Sequence, residues 1–252
     1  MAGDRFLICL PTYNERENLE RMADALVPVL GSVGDVLVID DASPDGTGAI
    51  ADRLAAEHPN VRVLHRPGKQ GLGRAYLDGF RYALAHDYAR IVQMDCDFSH
   101  DPAAVPALLA AVDRGADLAL GSRYVRGGRV SDWGLGRRLI SRAGCLYARV
   151  ILTAPVHDLT GGFKCFRREV LEALDLDAVA AQGYSFQIET TYRALAQGFR
   201  VVEVPITFCE RERGSSKMSS AIVLEAVRSV PSLRLARVRG RIKGKGTRAG
   251  TV

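Results

Sequence analysis

A pair of acidic residues directly after an apolar run is the part of this sequence best suited to chemistry. Asp95 and Asp97 follow the run Ile91–Met94. Two carboxylates separated by one residue can converge on a hard divalent cation, and Mg²⁺ binds through few carboxylates together with substrate phosphates. An isolated Asp-x-Asp is more often a pair of loop acids beside a helix start, although Asp101 before Pro102 already suits that capping role. Taken alone, the pair is weak evidence for a metal site.

Two other apolar runs end in residues of similar character. Asp41 follows one run and is predicted to accept hydrogen bonds from a nucleobase or ribose, with Asp45 nearer the sugar or the adjoining turn. The other run ends in the segment PTYNE, where Tyr13 and Glu15 are available to hold the same nucleotide. Because ligands collect at the carboxyl ends of strands in open α/β sheets, we expect these three strand ends to form one site.

The elements that position these residues alternate through the first half of the chain. Strands are predicted at Phe6–Leu10, Val36–Ile39, Val61–Leu64, Ile91–Met94 and Leu118–Leu120, and helices at Arg16–Leu30, Gly46–Glu57, Leu72–Ala85 and Ala103–Asp113. Continuous apolar strands separated by helices indicate an α/β domain whose mostly parallel sheet is covered on both faces. Asn14 and Glu17 have the spacing of a capping box, which predicts Asn14 as the N-cap of the first helix.

The second half is less regular. A Gly- and Arg-rich loop over Gly121–Trp133 precedes an amphipathic helix, Arg137–Leu152, whose apolar stripe contains Leu139, Ala143, Leu146 and Val150. Further predicted elements are the helices Glu169–Leu174, Phe186–Gln197 and Met218–Leu235 and the strand Val201–Ile206. We expect a catalytic domain over residues 1–233 and a basic, disordered tail over 234–252.

Charge and composition limit the classes of protein. The tail contains seven cations and no acid, and without it the acidic residues outnumber Lys and Arg by two, so the net charge of +5 belongs to the tail. Such a tail suits nucleic acid, anionic lipid or simple solvation. No run approaches the roughly 20 apolar residues of a membrane span. The five scattered cysteines are predicted to be free thiols in a reducing cytosol.

Seven motifs occur in order from about Leu7 to Lys217: PTYNERENL, VIDDASPDGT, GLGRAYLDGF, QMDCDFSHDP, GSRY, DLTGGFKCF and ERERGSSKM. In combination they resemble the polyprenol- and dolichol-phosphate mannosyltransferases of glycosyltransferase family 2. The resemblance implies a GT-A fold and transfer of mannose from GDP-mannose to a polyprenyl phosphate. It also implies an inverting single displacement that depends on Mg²⁺ or Mn²⁺.

The resemblance extends to individual positions. It implies that the nucleotide sugar contacts Pro11, Tyr13, Glu15, Ile39, Asp41, Asp95, Cys96, Asp97, Arg211 and Lys217. The implied metal ligands are Asp95, Asp97 and Ser99, the last at a position that is sometimes Gln in relatives. The implied catalytic residues are Asp95, Asp97 and Arg123.

An anionic acceptor must be held near an anionic donor, which requires positive charge. Arginine is concentrated in one segment of the chain that could supply this charge. Between Arg123 and Arg149 there are seven arginines and one acid, Asp132. A solvated helix face is the simpler explanation, whereas an acceptor loop over about 123–137 explains Trp133 among glycines. The residues predicted to contact the acceptor phosphate or the membrane are Arg123, Trp133, Arg137, Arg138, Ser141 and Arg142.

Three alternatives remain open at this point. A family 2 transferase could use another donor, such as UDP-glucose, with the same lipid phosphate. A nucleic-acid-binding protein would explain the basic tail, but the globular part lacks a recognisable module, so we expect no nucleic-acid partner. A non-catalytic sugar-nucleotide binder would not need both metal acids. We expect a cytoplasmic enzyme at the cytoplasmic face of the membrane, and the sequence leaves open whether a separate membrane protein anchors it.

Overall fold

The computed structural model describes residues 5–179, 183–210, 220–240 and 242. Within them the strands are β1 (Phe6–Thr12), β2 (Gly34–Asp40), β3 (Val61–His65), β4 (Arg90–Gln93), β5 (Leu118–Ser122), β6 (Arg129–Val130), β7 (Lys164–Arg167), β8 (Val201–Pro205) and β9 (Thr207–Phe208). The α-helices are α1 (Arg16–Leu30), α2 (Thr47–Glu57), α3 (Leu72–Ala85), α4 (Val105–Asp113), α5 (Leu135–Leu152), α6 (Arg168–Ala173), α7 (Gly183–Ala196) and α8 (Ser220–Val238). A short 3-10 helix, Pro102–Ala104, precedes α4.

Seven strands form one sheet in the order β3-β2-β1-β4-β7-β5-β8, and β6 pairs with β9 in a second, two-stranded sheet. All neighbouring pairs of the large sheet are parallel except those of β7, which is antiparallel to both β4 and β5. The chain runs outward from β1 to β3 and then returns to β4 on the other side of β1. Strand order therefore reverses at β1, where open α/β sheets bind ligands.

Side chains of β1 alternate between two hydrophobic cores, one on each face of the sheet. Ile8 packs in the core that includes residues of α1, α2 and α4, and Leu7 packs in the core that includes residues of α3, α6 and α7. Helix α3 approaches the sheet closely at Gly79, where an added Cβ would lie 2.6 Å from Cδ1 of Ile39. Because both faces are covered, these strands have the continuous apolar sequences from which they were predicted.

The five strands and four helices predicted in the first half are confirmed, with bounds that differ by at most two residues. The strand β7 was not predicted, because its sequence KCFR is short and has a cation at each end. Lys164 is nevertheless fully buried. The two-residue strands β6 and β9 were also missed, since such short segments carry no measurable periodicity.

The predicted capping box at the start of α1 is wrong. The helix begins at Arg16, its N-cap residue is Glu15, and the cap makes no side-chain hydrogen bond. Asn14 has a left-handed backbone with φ of 58° and donates its N–H to Ser43 Oγ. The loop after β1 is thus fixed by the neighbouring loop and not by a local cap.

Helix α8 packs against α5 and α7 and extends the fold beyond the predicted domain boundary. Val230 and Leu233 join a third hydrophobic cluster with Leu152 of α5 and Tyr192 of α7. The helix continues three residues beyond the predicted end at Leu235, into the segment expected to be a disordered tail, whereas residues 241 and 243–252 of that tail lie outside the described residues. No described helix combines the length and apolarity needed to cross a bilayer.

Candidate active site

The loops after β1 and β2 are joined to each other at the carboxyl edge of the sheet. Three backbone N–H groups of the first loop donate to side chains of the second, in the pairs Asn14 to Ser43 Oγ (3.1 Å), Glu15 to Thr47 Oγ1 (3.0 Å) and Arg16 to Asp45 Oδ2 (3.2 Å). Asp45 also accepts from Thr47 N and Oγ1. It therefore lies in the adjoining turn, which is one of the two positions expected for it.

Each of the three loops that follow β1, β2 and β4 contains a non-glycine residue with positive φ. These residues are Asn14, Ala42 and Phe98, with φ of 58°, 53° and 58°. A left-handed backbone is unfavourable for residues with a Cβ, and such residues persist where the surrounding structure holds them. Because all three residues lie at the same edge of the sheet, this edge is the candidate functional site.

The predicted nucleotide contacts of β1 and β2 lie next to each other. Pro11 is directly opposite Ile39 in the parallel pair. The side chain of Ile39 is fully buried, so only its backbone can face a nucleotide. Tyr13 follows the strand, and Nζ of Lys69 lies 3.9 Å from its ring centroid. Glu15 accepts a hydrogen bond from Asn18 Nδ2 at 2.8 Å.

Asp41 is held by a buried arginine that was not recognised from the sequence. Arg66 Nη1 forms a short ion pair with Asp41 Oδ1, and both side chains are buried. The same guanidinium donates to Asp78 Oδ2 at 2.8 Å and to Gln70 Oε1 at 3.3 Å. Arg66 therefore fixes the orientation of the Asp41 carboxylate.

The two acids after β4 are also held in place. Tyr76 donates its hydroxyl to Asp95 Oδ1 at 2.6 Å, and Asp97 Oδ1 accepts from the backbone N–H of Ser99 at 3.0 Å. Burial and the charge of Asp95 raise the pKa of Tyr76 well above its ordinary value, so the hydroxyl keeps its proton. Asp97 and Ser99 are buried, and Asp95 is partly exposed.

The oxygen donors at this position suit a hard divalent cation that is completed by substrate. Among the described residues, no group of three or more His, Cys, Asp or Glu side chains is arranged to hold a metal ion. Burial, with a smaller effect of the neighbouring acids, raises the pKa of Cys96 well above its ordinary value, so its thiol is neutral. Asp95 and Asp97 fit Mg²⁺ or Mn²⁺ only if other oxygens, such as those of a diphosphate, fill the remaining positions.

Arg123 forms a buried ion pair with Asp158. Its Nε and Nη2 donate to the two carboxylate oxygens at 2.7 and 2.6 Å, and its backbone N–H donates to Oδ2 at 2.9 Å. Nη2 also donates to Thr160 Oγ1 at 2.8 Å. Burial acts to lower the pKa of Arg123, but the charge of Asp158 and its hydrogen bonds with Arg123 together outweigh burial, and the pKa is raised. Two of the three guanidinium nitrogens are thus engaged by the protein itself.

The other residues predicted to contact the acceptor or the membrane lie at the start of α5. Trp133 is only 5% exposed and packs edge-on against Phe208 at 5.4 Å, so its ring faces the protein and not a membrane. Arg137 lies over the Trp133 ring at 4.2 Å and pairs with Glu210 at 2.6 Å. Arg138 Nη2 donates to the backbone carbonyl of Val130 at 3.1 Å.

Ser141 and Arg142 lie beside Tyr124 on the next turn of α5. The Tyr124 hydroxyl donates to Ser141 Oγ at 2.7 Å, and the Arg142 guanidinium lies 5.6 Å from the Tyr124 ring centroid. These contacts bring Ser141 and Arg142 to the segment that begins at Arg123. The predicted nucleotide contacts Arg211 and Lys217 lie outside the described residues.

A buried cluster of hydrogen-bonded polar side chains, which connects β4 and β7 to α7, was not predicted from the sequence. Gln93 Nε2 donates to Gly162 O at 2.8 Å and to Gln187 Oε1 at 2.7 Å. Lys164 Nζ donates to Gln187 O at 2.8 Å and to Thr190 Oγ1 at 3.0 Å. Burial lowers the pKa of Lys164 to about 7, against a smaller opposing effect of Asp158. Lys164 reaches this cluster because it lies on β7, a strand that was not predicted from the sequence.

The mostly parallel sheet and its acidic carboxyl edge define an α/β enzyme of the GT-A-like class. The chain belongs to glycosyl transferase family 2, whose profile matches residues 7–175, and is therefore a glycosyltransferase. Polyprenol monophosphomannose synthase of Mycolicibacterium smegmatis is 50% identical over 244 residues, which are 95% of this chain and 92% of that protein. Undecaprenyl-phosphate mannosyltransferase of Micrococcus luteus is 52% identical over 230 residues, 90% of this chain and 92% of that protein.

More distant relatives share the fold over most of the chain. Dolichol-phosphate mannosyltransferase of Pyrococcus furiosus is 36% identical over 226 residues, 88% of this chain but 62% of that protein. Glucosyl-3-phosphoglycerate synthase from Mycobacterium tuberculosis, in complex with Mn²⁺, UDP-glucose and phosphoglyceric acid, superposes with a TM-score of 0.71 at 20% identity. That alignment covers 92% of this chain and 80% of the other, and it concerns the fold alone.

Proposed function

We propose that this enzyme transfers mannose from GDP-mannose to a polyprenyl phosphate at a membrane surface, with Mg²⁺ or Mn²⁺ as cofactor. The observation that carries the proposal is the identity of 50–52%, over at least 90% of the chain, to two proteins named for mannosyl transfer to such lipids. The carboxyl edge of the sheet supports it, because Asp41, Asp95 and Asp97 lie where a nucleotide and its diphosphate are bound in this class of fold.

On this proposal the nucleotide lies over Pro11, Tyr13, Glu15 and the backbone of Ile39, with Asp41 toward the base or ribose. Asp95 and Asp97 hold the divalent cation beside the diphosphate, with Ser99 next to them. When bound, the cation offsets the negative charge that develops on the departing diphosphate. Tyr76 and the backbone of Ser99 keep the two carboxylates oriented before substrate arrives.

The acceptor is an anion already near neutral pH, so no side chain has to remove a proton from it. The enzyme supplies charge stabilisation and alignment, and an inverting single displacement needs no covalent intermediate. Arg137, Ser141 and Arg142 are gathered on one side of α5, near the buried Arg123. We assign the acceptor phosphate to this group, with Arg123 contributing through Nη1 because Nε and Nη2 are engaged by Asp158.

The outer face of α5 supports a membrane location. Leu135, Leu139, Leu146 and Val150 recur at helical spacing and are 84, 70, 58 and 65% exposed, whereas Cys145, Ala148 and Leu152 on the opposite face are buried. We call these four exposed residues the α5 stripe. Arg138, Arg142 and Arg149 lie along one side of it. An exposed apolar stripe bordered by cations fits a helix that lies in the interface of an anionic bilayer.

Transfer assays with the full chain test the proposal. Labelled GDP-mannose and UDP-glucose are offered separately with a short polyprenyl phosphate and either metal ion, in detergent. We expect transfer from GDP-mannose, loss of transfer with chelator, and a product of inverted configuration. Asp97→Ala should abolish transfer while the circular dichroism spectrum stays unchanged. Transfer from UDP-glucose but not from GDP-mannose would show that GDP-mannose is the wrong donor. Normal turnover by Asp97→Ala would show that the cation does not bind at Asp97.

A further inference from the structure

The loop before β7 leaves a small opening beside Asp95. Gly162 has no side chain, and a Cβ added there would lie 3.4 Å from Gln187 Nε2, 3.5 Å from His100 Cε1 and 3.7 Å from Asp95 Oδ2. Gly162 and Asp95 are both partly exposed, so the opening faces solvent. We call the space bordered by these three side chains the Gly162 niche.

The amide of Gln187 is fixed in one orientation. Gln93 Nε2 uses both of its hydrogens, one on Gly162 O and one on Gln187 Oε1, so Gln187 turns its own Nε2 away from Gln93. The backbone of Gln187 is held as well, since Lys164 Nζ donates to its carbonyl. The donor atom at the border of the niche is therefore positioned by one contact to the side chain of Gln187 and one to its backbone.

Gln187 Nε2 makes no hydrogen bond to any residue that the structure describes, although its side chain belongs to a residue only 3% exposed. Because the opening faces solvent, water can accept from this amide, and an acceptor atom of a ligand would take the place of that water. An oxygen placed in the niche would be close to Nε2.

The chemistry of the niche favours a hydroxyl over a phosphate. A hydroxyl can accept from Gln187 Nε2 and donate to Asp95 Oδ2, whereas a phosphate oxygen would be repelled by that carboxylate. None of the three bordering groups is a cationic Lys or Arg. A hexose attached to a diphosphate near Asp95 must place its ring, and hence its hydroxyls, in this neighbourhood.

We propose that the Gly162 niche binds a hydroxyl of the donor hexose, with Gln187 Nε2 donating to the hydroxyl oxygen and Asp95 Oδ2 accepting its proton in a hydrogen bond. The inference rests on the proposed function, because it requires the donor diphosphate to lie at Asp95. It assigns Gln187 a part in recognising the sugar and none in recognising the nucleotide.

Three variants separate this role from a structural one. Gln187→Met keeps the length of the side chain without adding a charge beside Asp95, but it removes the Nε2 donor together with the acceptor for Gln93. Gly162→Ala fills the niche with a Cβ at ordinary contact distances, so the fold is retained. Gln197→Ala is the matched control, because Gln197 lies just after the same helix α7 and its side-chain amide donates to Ala173 O at 3.1 Å, away from the niche.

The measurements are GDP affinity by calorimetry and steady-state kinetics with GDP-mannose, in the presence of metal. We expect Gln187→Met and Gly162→Ala to bind GDP within about twofold of the wild type. Their kcat/KM for GDP-mannose should fall about 10-fold or more, the effect of one lost hydrogen bond of ordinary strength. Gln197→Ala should match the wild type in both measurements.

Equal losses of GDP affinity and of kcat/KM would overturn the proposal, since Gln187 would then act on the nucleotide or on the fold. Wild-type kinetics in Gly162→Ala would overturn it too, because the filled niche would be shown to hold no part of the sugar. Failure of the wild type to use GDP-mannose concerns the proposed function instead. In that case the same variants are measured with UDP and UDP-glucose, and the same two outcomes decide.

Discussion

Arg123 and Asp158 form a bidentate ion pair whose side chains are 4% and 0% exposed. The pair joins the first residue after β5 to a residue six positions before β7. In the sequence analysis Arg123 was expected to be a catalytic residue, for which substitution affects turnover more than folding. The buried pair changes that expectation, because removal of one partner leaves an uncompensated charge in the interior.

We therefore predict that Arg123→Ala lowers the free energy of unfolding by about 3–5 kcal/mol, measured by urea denaturation. Replacement of both partners by leucine should restore much of this loss, since no buried charge then remains unpaired. Arg126→Ala is the control, because Arg126 is exposed three residues away. Wild-type stability in Arg123→Ala would contradict a structural role for the pair.

Tyr76→Phe tests whether the tyrosine hydroxyl positions Asp95. The ring stacks on Phe186 with centroids 6.0 Å apart, so phenylalanine preserves the packing. Loss of the hydrogen bond to Asp95 should lower kcat by roughly 10-fold and raise the metal concentration required for half-maximal activity. The melting temperature should stay close to that of the wild type. Tyr82→Phe on the same helix serves as the control, and equal activity of the two variants would refute the positioning role.

The buried Lys164 predicts a dependence of stability on pH. With its pKa lowered to about 7, the folded chain holds this amine neutral above that pH, whereas the unfolded chain keeps it protonated up to about its ordinary value of 10.5. Unfolding therefore takes up a proton between these values, and stability rises with pH across this window. Below pH 7 the amine is protonated in both the folded and the unfolded chain, so the free-energy penalty of burying its charge is fully present.

Between pH 7.5 and 8.5 the contribution of Lys164 should raise the free energy of unfolding by about 1 kcal/mol. Lys164→Met, which keeps an unbranched side chain one atom shorter and has no amine, should remove this increment. Urea denaturation of both proteins at the two pH values measures the difference, and shifts common to both proteins cancel. Identical pH slopes would show that the amine is protonated in the folded state.

The α5 stripe predicts binding to anionic membranes. Leu139→Ser together with Val150→Ser should weaken co-sedimentation with phosphatidylglycerol-containing vesicles at least 10-fold, by roughly 0.8 kcal/mol per lost buried CH₂. The melting temperature should not change, because both side chains are mostly exposed. Val33→Ser, at another exposed apolar residue, should bind as the wild type does. Unchanged vesicle binding by the double variant would contradict the membrane assignment and favour a protein partner.

The acids at the strand ends could be predicted because their signal is local. An apolar run followed by Asp95 and Asp97 places both carboxylates at the end of a strand, and parallel strands bring such ends to one edge. The same reasoning placed Asp41 and Tyr13 correctly at that edge. Their specific contacts with nucleotide and metal remain predictions.

The partners of these residues could not be predicted, since they come from distant parts of the chain. Arg66 is 25 residues from Asp41, and Asp158 is 35 residues from Arg123. No periodicity links such positions, and the strand β7, which orders the second half, has too few residues to be recognised. Trp133 was predicted to contact the acceptor phosphate or the membrane because tryptophan favours interfaces. In the structure its ring instead packs against Phe208 within the protein.

The antiparallel strand β7 has one more consequence. Residues 123–163 leave the sheet after β5 and re-enter it at β7, whose Lys164 is paired with Leu120 of β5. The two ends of this segment therefore lie on hydrogen-bonded neighbouring strands. The entropic cost of closing such a loop increases only slowly with its length. The length of this segment can therefore change without altering the register of β5 with β7, and the strands that precede Asp41 and Asp95 keep their own pairing.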